Sequence, residues 1–113
     1  MPTHAALAAD LLKDAAVFFT TLAEQNDGLR KEMTENAVIF ERMASLIETD
    51  PRGTAPTGQP YSQLCAQLLR DSAVFWRKIA AQNEPIREQV EFNADICEQI
   101  AEAVAKDPLG ILD

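Results

Sequence analysis

The feature that most constrains this chain is an internal duplication. Residues 7–53 recur as residues 64–110 at a constant offset of 57, without a gap, and 20 of the 47 aligned pairs are identical. The shared residues include Leu11, Leu12, Asp14, Ala16, Val17 and Phe18 against Leu68, Leu69, Asp71, Ala73, Val74 and Phe75. Further along, Gln25, Asn26 and Arg30 match Gln82, Asn83 and Arg87, and Asn36, Ala37, Ile39 and Glu41 match Asn93, Ala94, Ile96 and Glu98. Each copy closes on Asp-Pro-x-Gly. Whatever one copy folds into, the other folds into as well.

Within a copy the apolar spacing is helical. Leu11, Ala15, Phe18, Leu22 and Gln25 follow one another at intervals of 4, 3, 4 and 3, with Leu12, Ala16, Phe19 and Ala23 widening the stripe. The second half carries Leu29, Met33, Asn36, Phe40, Met43 and Ile47, mirrored by Ile86, Val90, Asn93, Cys97, Ile100 and Val104. Such rows predict amphipathic helices, the second a heptad-like seam interrupted once by asparagine. Thr3 is placed to cap the first helix, which should run to about Gln25. Asn26-Asp27-Gly28 and Asn83-Glu84-Pro85 should break each copy, with the asparagines in the left-handed conformation that ends many helices. A kinked continuous helix through Pro85 is the competing expectation. The second helix is expected over about Gly28 to Thr49, the third from Tyr61 or Ser62 to Gln82, and the fourth from about Pro85 to Lys106. Asp50-Pro51 and Asp107-Pro108 act as stops, because a residue before proline is pushed out of the α region. Residues 51–60 hold three of the six prolines and two of the four glycines, so they read as a linker.

Four helices of about 20 residues joined by tight, long and tight connections predict an all-α fold, an antiparallel four-helix bundle built from a tandem duplicated helical hairpin, as one domain over residues 1–113. Up-down-up-down topology would bring both tight turns to one pole. The alternative is a dimer in which hairpins exchange or two chains pack side by side.

Ten basic against 18 acidic residues give a net charge of −8, shared by both copies. That balance repels phosphate backbones and anionic lipid and disfavours nucleic-acid and membrane-surface roles. No basic leader precedes an apolar run, and no apolar run approaches the roughly 20 residues that span a bilayer, so a cytoplasmic protein is expected. Cys65 and Cys97 fall at apolar positions of the repeat and should be free, buried thiols.

Three groups of residues are candidates for function. Asn36 and Asn93 sit where the seam calls for apolar side chains, with Asp14 and Asp71 within about a turn of their level. A buried amide needs partners, so these four residues either fix register or line a small polar pocket. Arg30 and Arg87 stand in the first turn of a helix, where a cation opposes the dipole. They either pair with Asp27 and Glu84 or join Gln25, Asn26, Gln82 and Asn83 in a polar pole able to hold an anion. Val17, Val74, Trp76 and Phe92 fall outside the seam or at its edge, as would befit a partner or self-association surface.

Catalytic chemistry has little to draw on. The only histidine, His4, lies in the lead, bundle di-iron sites need Glu-x-x-His pairs that do not occur, and no phosphate loop or zinc-spaced cysteine pair is present. The sequence therefore predicts a small acidic interaction or regulatory module without catalysis, cofactor or metal, with a protein partner or self-association, a homodimer included. A bundle that binds a small molecule or anion at the asparagine level or the arginine pole is the alternative.

Overall fold

The computed structural model describes residues 3–82 and 84–111. Helix α1 spans His4–Gln25, α2 Arg30–Thr49, α3 Tyr61–Gln82 and α4 Arg87–Lys106. A single 3-10 turn leads into α2 at Asp27–Leu29 and into α4 at Glu84–Ile86. The Thr3 hydroxyl accepts the Ala6 N–H at 3.1 Å, the expected cap. No helix is long and apolar enough to cross a membrane among the described residues.

The molecule measures 36 × 30 × 21 Å. A 22-residue helix is about 33 Å long at 1.5 Å per residue, so the helices lie side by side rather than end to end. Each hairpin packs along its length, α1 on α2 and α3 on α4, and the hairpins then join through α1 with α4, α2 with α3 and α1 with α3. The helices α2 and α4 do not approach one another. The bundle is thus a rhombus with α1 and α3 across its short diagonal.

Backbone bonds at the linker pole show the topology. His4 N–H donates to Gly110 O at 2.8 Å, and the equivalent Tyr61 N–H donates to Gly53 O at 2.9 Å. Both odd-numbered helices therefore start at the same pole, run parallel, and put both tight turns at the other, as up-down-up-down predicts. The glycines that close each copy are needed for contact. A Cβ on Gly53 would lie 2.5 Å from the Tyr61 ring, and one on Gly110 would lie 2.8 Å from the His4 ring. The linker itself folds back through Ala55 N–H to Gln59 O at 2.8 Å, and Gly58 supplies a left-handed φ of 92°.

The buried stripes keep most of the expected seams and depart from them at the asparagines. In α2 the inward residues are Met33, Ala37, Phe40, Met43, Ala44 and Ile47, and in α4 they are Val90, Ala94, Cys97, Ile100, Ala101 and Val104. In α1 Leu12, Ala16, Phe19 and Ala23 are buried together with Ala15 of the expected row, while Leu11, Phe18 and Leu22 are half-buried and Gln25 is exposed. In α2 and α4 four of the six expected seam residues are buried, and the alanines beside the asparagines, Ala37 and Ala94, take the inward place instead. Small side chains let two backbones come close, so large and small residues alternate along the contact and interlock. A seam drawn through the bulkiest residues misses this, and it is why Asn36 and Asn93 are not in the core: Asn36 is half-buried and Asn93 exposed.

The tight turns also differ in detail. Asn26 is extended (φ −138°, ψ 97°) rather than left-handed, and Asn83 lies outside the described residues. The left-handed cap is unnecessary because side chains satisfy the last carbonyls of α1: Asn26 Nδ2 donates to Leu22 O at 3.2 Å and Arg30 Nε to Ala23 O at 3.3 Å. Pro85 sits in the 3-10 turn, and α4 returns antiparallel to α3, with Arg77 reaching both Asp95 and Glu98 across the hairpin. This excludes the kinked continuous helix.

Candidate functional site

The two seams between the hairpins form the candidate site, and the duplication makes them equivalent. Between α2 and α3 a cavity of about 300 Å³ is lined by Phe19, Asn36, Ile39, Phe40, Leu68, Asp71, Ser72, Val74, Phe75 and Lys78. Between α1 and α4 a smaller one, about 100 Å³, is lined by Leu11, Asp14, Ala15, Trp76, Asn93, Ile96 and Cys97. Every residue of the second is the repeat equivalent of one in the first. Asparagine from one copy therefore lines the same groove as aspartate from the other in both places, Asn36 with Asp71 and Asn93 with Asp14. The four residues predicted to share a level do so at two separate grooves near the surface, not at one buried amide pair.

The floor between the grooves is aromatic. Phe18 and Phe75 meet at 5.9 Å, Phe18 and Trp76 at 4.6 Å, and Phe19 and Phe75 at 5.4 Å between ring centroids. The last two pairs are equivalent under the duplication. Phe19 packs edge-on against Phe40 at 5.0 Å; at the corresponding place Trp76 has Cys97, so a larger ring faces a smaller side chain. Trp76 belongs to this half-buried cluster and not to an outer patch.

The grooves have diverged in charge and depth. Arg42, Leu46, Gln67 and Lys78 line the α2–α3 side, where the α1–α4 side has Gln99, Ala103, Asp10 and Thr21. A second cavity of about 290 Å³, lined by Ile39, Arg42, Met43, Leu46, Leu64, Gln67 and Leu68, extends the α2–α3 groove toward the linker pole. Ile39 and Val74 on this groove are 51% and 53% exposed. Neither Arg42 nor Lys78 forms an ion pair among the described residues. Asp71 accepts a bond from Gln67 at 3.0 Å. Ser72 is 2% exposed, and its hydroxyl has no hydrogen-bond partner among the described residues.

The arginine pole resolves into two local devices. Arg30 Nη2 pairs with Asp27 at 2.7 Å and Arg87 Nη2 with Glu84 at 2.9 Å, while each Nε donates at 3.3 Å to a carbonyl of the preceding helix, Ala23 or Ala80. The cation that opposes the dipole of its own helix thus serves the C-terminus of the one before it. Gln25, Asn26 and Gln82 are exposed nearby. The expected partner surface is not one patch. Val74 lines the α2–α3 cavity, Trp76 the α1–α4 cavity, and Phe92 a shallow depression with Pro85, Glu88 and Gln89; Val17 is exposed at the position equivalent to Val74.

Both cysteines are free and buried. Burial pushes the Cys65 thiol up to about 12, and burial also raises Cys97, with Ser72 and Trp76 opposing the shift. These are packing thiols, held protonated. Arg77, bonded to Glu98 and Asp95, holds the Glu98 carboxyl below its ordinary value, an exposed pair on the α3–α4 face. No group of three or more potential metal ligands occurs among the described residues.

Comparison with protein-family models, with curated proteins and with solved structures returns no match.

Of the residues singled out in the sequence, Asn36, Asn93, Asp14, Asp71, Val74 and Trp76 line the grooves, the first four expected at a buried level and the last two on a partner surface; Arg42, Lys78 and Ser72 were missed. The offset of 57 held the signal. At aligned positions where the copies differ, Thr21 against Lys78 and Gln99 against Arg42, one groove has gained a cation that the other lacks.

Proposed function

We propose that the protein is a helical interaction module whose α2–α3 groove receives one amphipathic helix of a partner protein, apolar along one face and flanked by carboxylates. One observation supports this reading: an apolar channel over Ile39, Leu46, Leu64, Leu68 and Val74, left open in a folded bundle, with Arg42 and Lys78 beside it and in no ion pair among the described residues. In a chain with eight surplus carboxylates, two cations at an apolar channel with no acid partner among the described residues favour an acidic occupant. From Leu64 to Lys78 the channel follows 14 residues of α3, about 21 Å and about four helical turns. This is the length of a helix-in-groove contact read at i, i+3, i+4 and i+7.

A library of amphipathic helical peptides with an invariant apolar face and flanking positions randomised among Asp, Glu, Gln, Lys and Arg tests the reading. Selection should enrich acidic flanks. Ile39→Lys should abolish binding, and Arg42→Glu with Lys78→Glu should invert the preference toward basic flanks. Selection without charge preference, or binding indifferent to Ile39→Lys, would remove the proposal. A mass of two chains in sedimentation, reduced to one by Ile39→Lys, would assign the groove to a second copy instead.

A further inference from the structure

The α1–α4 groove, which the interaction reading does not use, is built for a different ligand. Its cavity of about 100 Å³ is bordered by Asp14, Asn93, Trp76 and Cys97 over an apolar base of Leu11, Ala15 and Ile96. At a water's share of about 30 Å³ this is space for about three waters, enough for a small head group with its tail outside. No cation lines it, because Thr21 stands at the position of Lys78 and Gln99 at that of Arg42.

Asp14 differs from its twin. Asp71 accepts a bond from Gln67, but the residue equivalent to Gln67 is Asp10, which has nothing to donate. Asp14 has neither a hydrogen bond nor an ion pair with a described residue, and its charge is felt at the Cys97 thiol in the wall. The Trp76 ring closes the pocket from α3, held at 4.6 Å from Phe18, and shares its lining with Cys97. A free carboxylate, an amide able to accept and an indole ring around a small apolar-floored pocket are what a compact ammonium group requires. Phosphates and carboxylates would meet Asp14 and the surplus of acid around it.

We infer that the α1–α4 pocket binds a small organic cation, with Asp14 as counter-ion, the Asn93 side-chain carbonyl as acceptor and Trp76 as the aromatic wall. The α2–α3 groove retains the same Asp and Asn, but Lys78 occupies its mouth and bars a second cation. One scaffold has thus diverged into a groove for an acidic partner helix and a pocket for an ammonium group.

Trp76 is the only tryptophan in the chain, so its emission reports on this pocket alone. Choline chloride, titrated at constant ionic strength against sodium chloride, should change that emission saturably. The neutral isostere 3,3-dimethylbutanol should not. Asp14→Asn should weaken the apparent affinity about ten-fold, roughly 1.4 kcal/mol, while Asp71→Asn should leave it within about two-fold. Thr21→Lys, which copies the α2–α3 arrangement while keeping Asp14, should abolish the response. The Asn93 side-chain amide resonance should shift with the same midpoint. A linear response, an equal response to the isostere, or an Asp14→Asn midpoint equal to that of the parent protein would overturn the assignment. Peptide binding at the other groove is independent of each of these results.

Discussion

Phe18 and Phe75 occupy the same position of the two repeats and pack against each other, ring centroids 5.9 Å apart and planes inclined at 70°. A contact between equivalent residues can form only where the axis relating the repeats passes between them. The pair therefore marks the pseudo-two-fold axis, which lies along the bundle between the parallel helices α1 and α3. It is also where hairpin meets hairpin, and the two grooves open on either side of it.

Because this pair joins the hairpins, its removal should loosen the bundle more than it harms either hairpin. Phe18→Ala and Phe75→Ala should each destabilise by about 2–3 kcal/mol, less than the 3–5 of a fully buried ring because both are half-buried. The double variant should show a coupling of about 0.5–1.5 kcal/mol in a mutant cycle. Urea unfolding followed by circular dichroism gives both numbers; strict additivity would contradict the contact.

The arginines at the tight turns offer a comparison between charge and geometry. Arg30→Lys keeps a cation near Asp27 but loses the planar Nε donor that reaches Ala23 O. Arg30→Lys should therefore destabilise nearly as much as Arg30→Ala, about 0.5–1 kcal/mol, with the same pattern at Arg87 and Ala80. High salt should weaken the ion-pair share of this in thermal melts and leave the carbonyl share. A lysine variant as stable as the parent would assign the effect to charge alone.

Three glycines divide by what surrounds them. Gly53→Ala should cost about 1–3 kcal/mol, since its new methyl would collide with the Tyr61 ring and the Asp50 carboxylate. Gly110→Ala should behave alike against His4. Gly28 has open space around it and no left-handed φ, so Gly28→Ala should be neutral or stabilise by up to about 1 kcal/mol. Melting temperatures of the three variants rank them directly.

The thiols give a dependence on alkaline pH. Cys65 titrates near 9.0 when unfolded and at about 12 when folded, so the folded chain keeps a proton that the unfolded chain releases. The stabilising effect is full below pH 9 and is lost as pH rises from 9 toward 12, at up to about 1.4 kcal/mol per unit. Unfolding midpoints at pH 8 and pH 10 should differ in this direction, and Cys65→Ala should reduce the difference. Alkylation at pH 8 should be slow in the native protein and rapid in denaturant.

Much of the fold was legible in the chain. The spacing of Leu11, Phe18 and their equivalents specified helices, the prolines after Asp50 and Asp107 specified their ends, and the offset of 57 specified that two equal hairpins would pack about an axis. Local chemistry suffices for such features, since caps, proline sterics and periodicity act within a few residues. The duplication also forced paired grooves, because any niche between α2 and α3 recurs between α4 and α1.

Tertiary packing decided the rest. Which face of α2 turns inward depends on how closely a neighbouring backbone can approach, and Ala37 and Ala44 won that position over Asn36. A sum of side-chain hydrophobicities carries no information about backbone separation. The task of Arg30 was likewise invisible in its own helix, since its carbonyl partner belongs to the preceding one. The grooves that Asn93 shares with Asp14, and Asn36 with Asp71, needed the hairpins docked: each draws one residue of the pair from either repeat, and only packing across the bundle brings the two to one cavity.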